Sequence, residues 1–121
     1  MIKTILAIFL GLVLVSGGLG HFLAPESFIP FIPNVVPYRE AIVDLSGGLE
    51  VILGIGVFSK ISRPVAARLI MWLLILYTPL HIIDLMRADP AIGDRTMALI
   101  RLPLQGILIW VALQVSKLRF K

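Results

Sequence analysis

The stretch YREAIVDLSGGLEVILGIGVF, Tyr38–Phe58, decides the fold of this 121-residue chain. As a helix rising about 1.5 Å per residue it reaches about 30 Å, the thickness of a bilayer's hydrocarbon layer. Near its centre stands a carboxyl, Glu50, with no base in the run after Arg39. In water this would be a core helix with a misplaced acid; in lipid it is a span whose acid must face other helices. Composition selects the second reading. The chain is 59% hydrophobic and 15% charged, with a mean hydropathy of +1.01. A soluble domain of this size keeps too large an exposed fraction to hide that much apolar surface.

Working outward from Tyr38–Phe58, three more apolar runs appear at about 2–22, 64–85 and 96–115. Each is long enough to cross a bilayer, and in lipid only helices satisfy their own backbone at such lengths. The expected fold is all-α, a transmembrane four-helix bundle forming a single membrane domain over 1–121, with an apolar proline-rich loop at 23–37. Ser62 followed by Pro64 reads as a helix start. The first run also resembles a signal peptide, with Lys3, an apolar core and small residues at Gly18 and Gly20. Its apolar length exceeds an ordinary signal core, so it is expected to stay as the first span. There is no cysteine, which removes disulfides, iron–sulfur clusters and catalytic thiols from this chain. The isoelectric point is near 10.0, but the basic residues flank apolar runs without interleaved aromatics. Nucleic acid is therefore not an expected partner.

The charges also orient the chain. Lys3, Lys60, Arg63, Arg68, Lys117, Arg119 and Lys121 fall at one end of the bundle with no acid among them. All seven acids lie within spans or at the other end, together with Arg39, Arg87, Arg95 and Arg101. The positive-inside rule then places both termini in the cytoplasm, and the expected location is the cell inner (plasma) membrane, multi-pass. On the outer side, LAPESFIPFIPNVVPY (Leu23–Tyr38) holds four of the eight prolines and is too apolar for a solvated loop. It reads as an interfacial cap with Phe28, Phe31 and Tyr38 at headgroup depth, either a lid over a site or a plain anchor.

Counted from the outer helix ends, every intramembrane ionisable group is in the outer half or at the centre. His21 is almost at the outer end, Asp44 about 8 Å down, Glu50 about 16 Å, His81 about 6 Å, Arg101 about 8 Å and Gln105 about 14 Å. Each helix offers one polar stripe: Glu40, Asp44, Gly47, Glu50 and Gly54 on the second, Tyr77, His81 and Asp84 on the third. Arg101 with Gln105, and Gly17 with His21, are spaced i, i+4. The candidate site is therefore a polar cluster of Glu50, Arg101, Gln105, His81, His21, Asp44, Ser46 and Tyr77, with Arg101 paired to Asp44 or Glu50. Two readings stay open. The Arg101 pair is either a structural clamp or part of a ligand site, and Glu50 is either a hydrogen-bonded structural acid or one that handles a proton or ligand. His21 and His81 raise a bis-histidine haem or a metal site, which the lack of further ligands at fitting spacing disfavours. Pro79 and Pro103 are expected to kink the third and fourth spans.

Two SGGL stretches, Ser16–Leu19 and Ser46–Leu49, sit at matching depth, about 9 Å below the outer ends of antiparallel helices. They read as a close glycine contact. His21 and Glu50, where the stretches diverge, would mark the top and bottom of the site.

With GGLGHFLAPESFIPFIP, LSGGLEVILGIGVFSK, YTPLHIIDLM and IRLPLQGILIW together, nearly the whole chain resembles the DoxX / DoxX-like group of small four-helix membrane proteins. The matching elements are His21, Phe22 and Pro25; Ser46, Gly47 and Glu50; Pro79; and Arg101, Pro103 and Gln105. His81 departs from the pattern, standing where many relatives carry an amide. The resemblance implies the four-helix fold. Some members of the group are associated with quinone-linked sulfur oxidation, others with membrane oxidative-stress complexes, and a eukaryotic branch with receptor assembly.

The first expectation for function is a subunit that binds a quinone-like ligand and supports a membrane redox partner. It would be at most an accessory subunit of an oxidoreductase, since the chain carries no electron carrier of its own. The alternative is a non-catalytic scaffold or assembly factor. The third is transport of a small solute or proton, which would require copies to associate. Expected partners are the lipid bilayer, a redox protein and further copies of the chain.

Overall fold

The computed structural model describes residues 1–117. Arg119 and Lys121, counted above among the basic residues, lie outside the described residues. Four helices make up the bundle: α1 (Ile2–Leu23), α2 (Arg39–Phe58), α3 (Arg63–Met86) and α4 (Arg95–Ser116). Each is long and apolar enough to cross a membrane. The helices alternate in direction. α1 lies closely along α2 and α3 along α4, while sparser α2–α3 and α1–α4 contacts close the ring.

Glycines set the α1–α2 approach. A Cβ at Gly18 would fall 2.6 Å from the carbonyl oxygen of Gly47, and one at Gly47 would fall 2.5 Å from Cβ of His21. Seven residues along each helix the contact recurs, with Gly11 against Gly54 and the Phe58 ring. At both levels glycine on one helix meets a backbone carbonyl of the other, the close approach that small residues allow in lipid. The SGGL contact is made by Gly18 and Gly47, while Gly17 faces Glu50 Oε1.

Helix ends are satisfied by their neighbours, as buried backbone requires. The Ser62 hydroxyl donates to the Gly56 carbonyl at 2.6 Å, and Arg63 donates to the carbonyls of Val57 and Phe58 at 2.7 and 3.2 Å. These groups open α3 and close α2 together. Asp94 caps α4 by accepting from the Met97 amide at 2.7 Å. Both Pro79 and Pro103 lie inside continuous helices. Just over a turn before Pro79, the Leu74 carbonyl accepts from Gln105 Nε2 at 2.7 Å and from the Thr78 hydroxyl at 2.9 Å.

At the end that carries the termini the bundle is filled by apolar side chains, among them Leu10, Val57, Ile70, Ala112 and Val115. At the other end lies the segment between α1 and α2. It contains two 3₁₀ turns, Pro25–Ser27 and Ile29–Phe31, each with a proline in its first two positions. Arg39 donates to the carbonyls of Ile32 and Ile29 at 3.0 and 2.9 Å, and Arg87 donates to the Pro30 carbonyl. Between this segment and α2, Tyr38 takes a left-handed backbone conformation, φ 58° and ψ 40°. That costs a non-glycine residue about 1 kcal/mol, which the two Arg39 hydrogen bonds offset.

Candidate functional site

Beneath the 3₁₀ segment is a cavity of about 720 Å³. Its apolar floor includes Leu14, Leu74 and Leu108, which belong to the packed core. Phe28, Pro30, Phe31 and Ile32 line it from above, so the segment serves as a lid. Phe28 lies on the His21 ring, with centroids 4.1 Å apart, and Phe31 meets the His81 ring edge-on at 5.7 Å. Both phenylalanines turn inward, half-buried over the cavity, while Tyr38 is exposed. The cause of the inward turn is the fit of aromatic faces over the two imidazoles.

The polar wall is built on α1, α2 and α3. His21 Nε2 stands 3.0 Å from Glu50 Oε2, and both side chains are about nine-tenths buried. The other ring nitrogen, Nδ1, is 3.2 Å from the Val43 carbonyl and 3.2 Å from the Ser46 hydroxyl. That hydroxyl donates to the Val43 carbonyl at 3.0 Å. In the tautomer that donates from Nδ1 to the Val43 carbonyl, Nε2 and Oε2 are placed to share a single proton. The Tyr77 hydroxyl donates to the same Oε2 at 3.3 Å, reaching across from α3.

His81 and Arg101 complete the cavity wall from α3 and α4. The expected pairing of Arg101 with Asp44 or Glu50 is not a contact pair: among the described residues no carboxylate lies within ion-pair distance of its guanidinium, and Arg101 interacts with the Glu50 charge only at longer range. Glu50 is taken by His21 instead. Asp44 is exposed and stands outside the cavity. Gln105 is also outside it, buried beneath as a strut to the Leu74 carbonyl, with its Oε1 unpartnered. Of the eight expected site residues, Glu50, Arg101, His81, His21, Ser46 and Tyr77 share the cavity.

Asp84, grouped by helical phase with Tyr77 and His81, is buried for a different purpose. Its carboxylate accepts from the amides of Ala91 and Ile92 at 2.6 and 3.3 Å and sits 3.6 Å from Arg87. It fixes the α3–α4 turn, and through Arg87 it holds the lid. Arg39 and Arg87 went unnoticed as lid anchors because their targets are backbone carbonyls, which leave no mark in a sequence. Among the described residues no group of three His, Asp or Glu side chains is placed to hold a metal ion.

Over residues 10–116 the chain matches a family described as Domain of unknown function (DUF8561). No curated protein and no solved structure matches it.

Proposed function

The chain belongs to the DUF8561 family, and we propose that it is a DoxX-like membrane subunit that binds a quinone-like molecule under the lid and serves a redox partner. The observation that carries this reading is the Arg101 guanidinium. It lines a cavity of about 720 Å³ with no carboxylate of the described residues in contact with it and Glu50 only at longer range, and the His21–Glu50 pair lines the same cavity. The volume falls within the roughly 300–1,000 Å³ of small-molecule sites. A ring bearing two oxygens suits such a wall: Arg101 donates to one oxygen, and the His21–Glu50–Tyr77 group exchanges a proton at the other. The apolar floor and the Phe28 and Phe31 faces suit the ring. Electrons come from the partner.

In this reading both termini are cytoplasmic and the membrane is the plasma membrane, supported by the acid-free charge of Lys3, Lys60, Arg63, Arg68 and Lys117. Transport draws no support from the bundle, whose termini end is filled with apolar side chains.

The test is solvent extraction of gently solubilised, purified protein, with mass spectrometry of the extract for isoprenoid quinones. Near-stoichiometric quinone that is lost in Glu50→Gln and Arg101→Gln supports the proposal. Quinone no higher than in an unrelated membrane protein of equal size overturns it. The scaffold alternative is favoured by one feature, the His21–Glu50 contact, which also fixes the α1–α2 register. That reading gains if the same variants lose partner proteins in pull-downs while no ligand is found.

A further inference from the structure

At the opposite end of the bundle a second cavity, of about 420 Å³, opens between the start of α3 and the end of α4. Pro64, Met71 and Leu113 give it apolar walls, and Arg68 and Lys117 give it two cations. Among the described residues no carboxylate lies within ion-pair distance of either cation. All seven acidic side chains of the chain fall at the centre of the spans, toward the lid end, or at that end itself. Arg63 nearby is occupied by the carbonyls of Val57 and Phe58. Arg68 stands five residues into α3, about 7.5 Å along the helix, where an uncompensated guanidinium in lipid is costly. Side chains on a helix lean toward its N-terminus, so a guanidinium this close to the start of α3 has the reach to meet a headgroup.

We infer that this groove binds an anionic phospholipid of the leaflet on the termini side, its phosphate between Arg68 and Lys117 and an acyl chain along Met71 and Leu113. The charge balance carries the assignment. Two cations over apolar walls, with no carboxylate of the described residues in reach, are completed by a molecule that brings phosphate and hydrocarbon together. A free phosphate would satisfy the cations and leave the apolar walls unused. The site is independent of the lid cavity and of any ligand there.

The experiment is native mass spectrometry of the full chain released from membranes containing phosphatidylglycerol and phosphatidylcholine in equal amounts. Phosphatidylglycerol is expected to be retained preferentially. Arg68→Gln and Lys117→Gln should each lower that preference about fivefold, and Lys3→Gln, outside the groove, should leave it unchanged. Lys117→Glu places a carboxylate beside Arg68 and should abolish the preference. Because this substitution lies at the exposed end of α4, it keeps the test valid if Arg68→Gln fails to fold. Equal retention of the two lipids, an unaltered preference in Lys117→Glu, or displacement of the lipid by excess inorganic phosphate would each overturn the inference.

Discussion

His21 Nε2 and Glu50 Oε2 meet at 3.0 Å although their backbones stand at different levels. The Gly18–Gly47 contact sets the register and lays Cβ of His21 against Gly47, three residues or about 4.5 Å along α2 from Glu50. Side chains on a helix lean toward its N-terminus. α1 and α2 run in opposite directions, so His21 leans toward the termini end while Glu50 leans toward the lid. The two lean into each other, and the gap closes.

That contact predicts strong coupling. Removing one member of a buried pair strands the other, at about 3–5 kcal/mol. His21→Ala and Glu50→Ala should each destabilise the bundle in unfolding measurements in detergent. The double variant should cost less than their sum by about 1–3 kcal/mol. Additive losses would mean that the pair contributes nothing jointly.

Glycine positions separate into two kinds. Gly18→Ala puts a methyl 2.6 Å from a carbonyl oxygen of Gly47, which forces α1 and α2 apart at a cost of about 1–3 kcal/mol. Gly106 has nothing within 4 Å of an added Cβ. Gly106→Ala should therefore stabilise by about 0.5–1 kcal/mol through helix propensity. Thermal melts of the two variants should move in opposite directions.

The lid should loosen without the bundle melting. Arg39→Ala frees the carbonyls of Ile29 and Ile32, and Asp84→Ala strands the amides of Ala91 and Ile92 and releases Arg87. Hydrogen exchange across residues 24–37 should quicken in both variants. In the apolar core around Leu10 and Val57, exchange should stay near that of the parent in Arg39→Ala.

Arg101 gives the sharpest contrast between a binding site and a structural clamp. Its guanidinium makes no protein hydrogen bond or ion pair among the described residues. Arg101→Gln should then leave stability within about 0.5 kcal/mol of the parent, or raise it, while ligand retention falls. A loss of several kcal/mol without any change in bound ligand would make Arg101 a clamp.

The four helices were legible because long apolar runs and their flanking charges are local signals. The site was legible only in part. Asp44 looked like a cluster member, yet it lies roughly 70° round the helix from the Gly47–Gly54 line that faces α1, and it is exposed. Depth counting took side chains as level with their backbones, so it separated His21 from Glu50 and handed the acid to Arg101. Phe28 and Phe31 lie in a segment with no periodicity to read, and their places on the two histidines depend on how the chain folds back. The Arg39 and Arg87 contacts are likewise long-range.

The glycine ladder between α1 and α2 also bears on how such a site can diversify. Close contact at Gly11, Gly18, Gly47 and Gly54 sets the distance between α1 and α2, and with it that between His21 and Glu50. The opposite half of the chamber is furnished by α3 and α4 through Leu74, Leu80, His81, Arg101 and Leu108, and the Tyr77 hydroxyl crosses to the acid by a hydrogen bond. In the proposed reading, exchanging those side chains would change which molecules fit while the His21–Glu50 pair keeps its place on the α1–α2 hairpin.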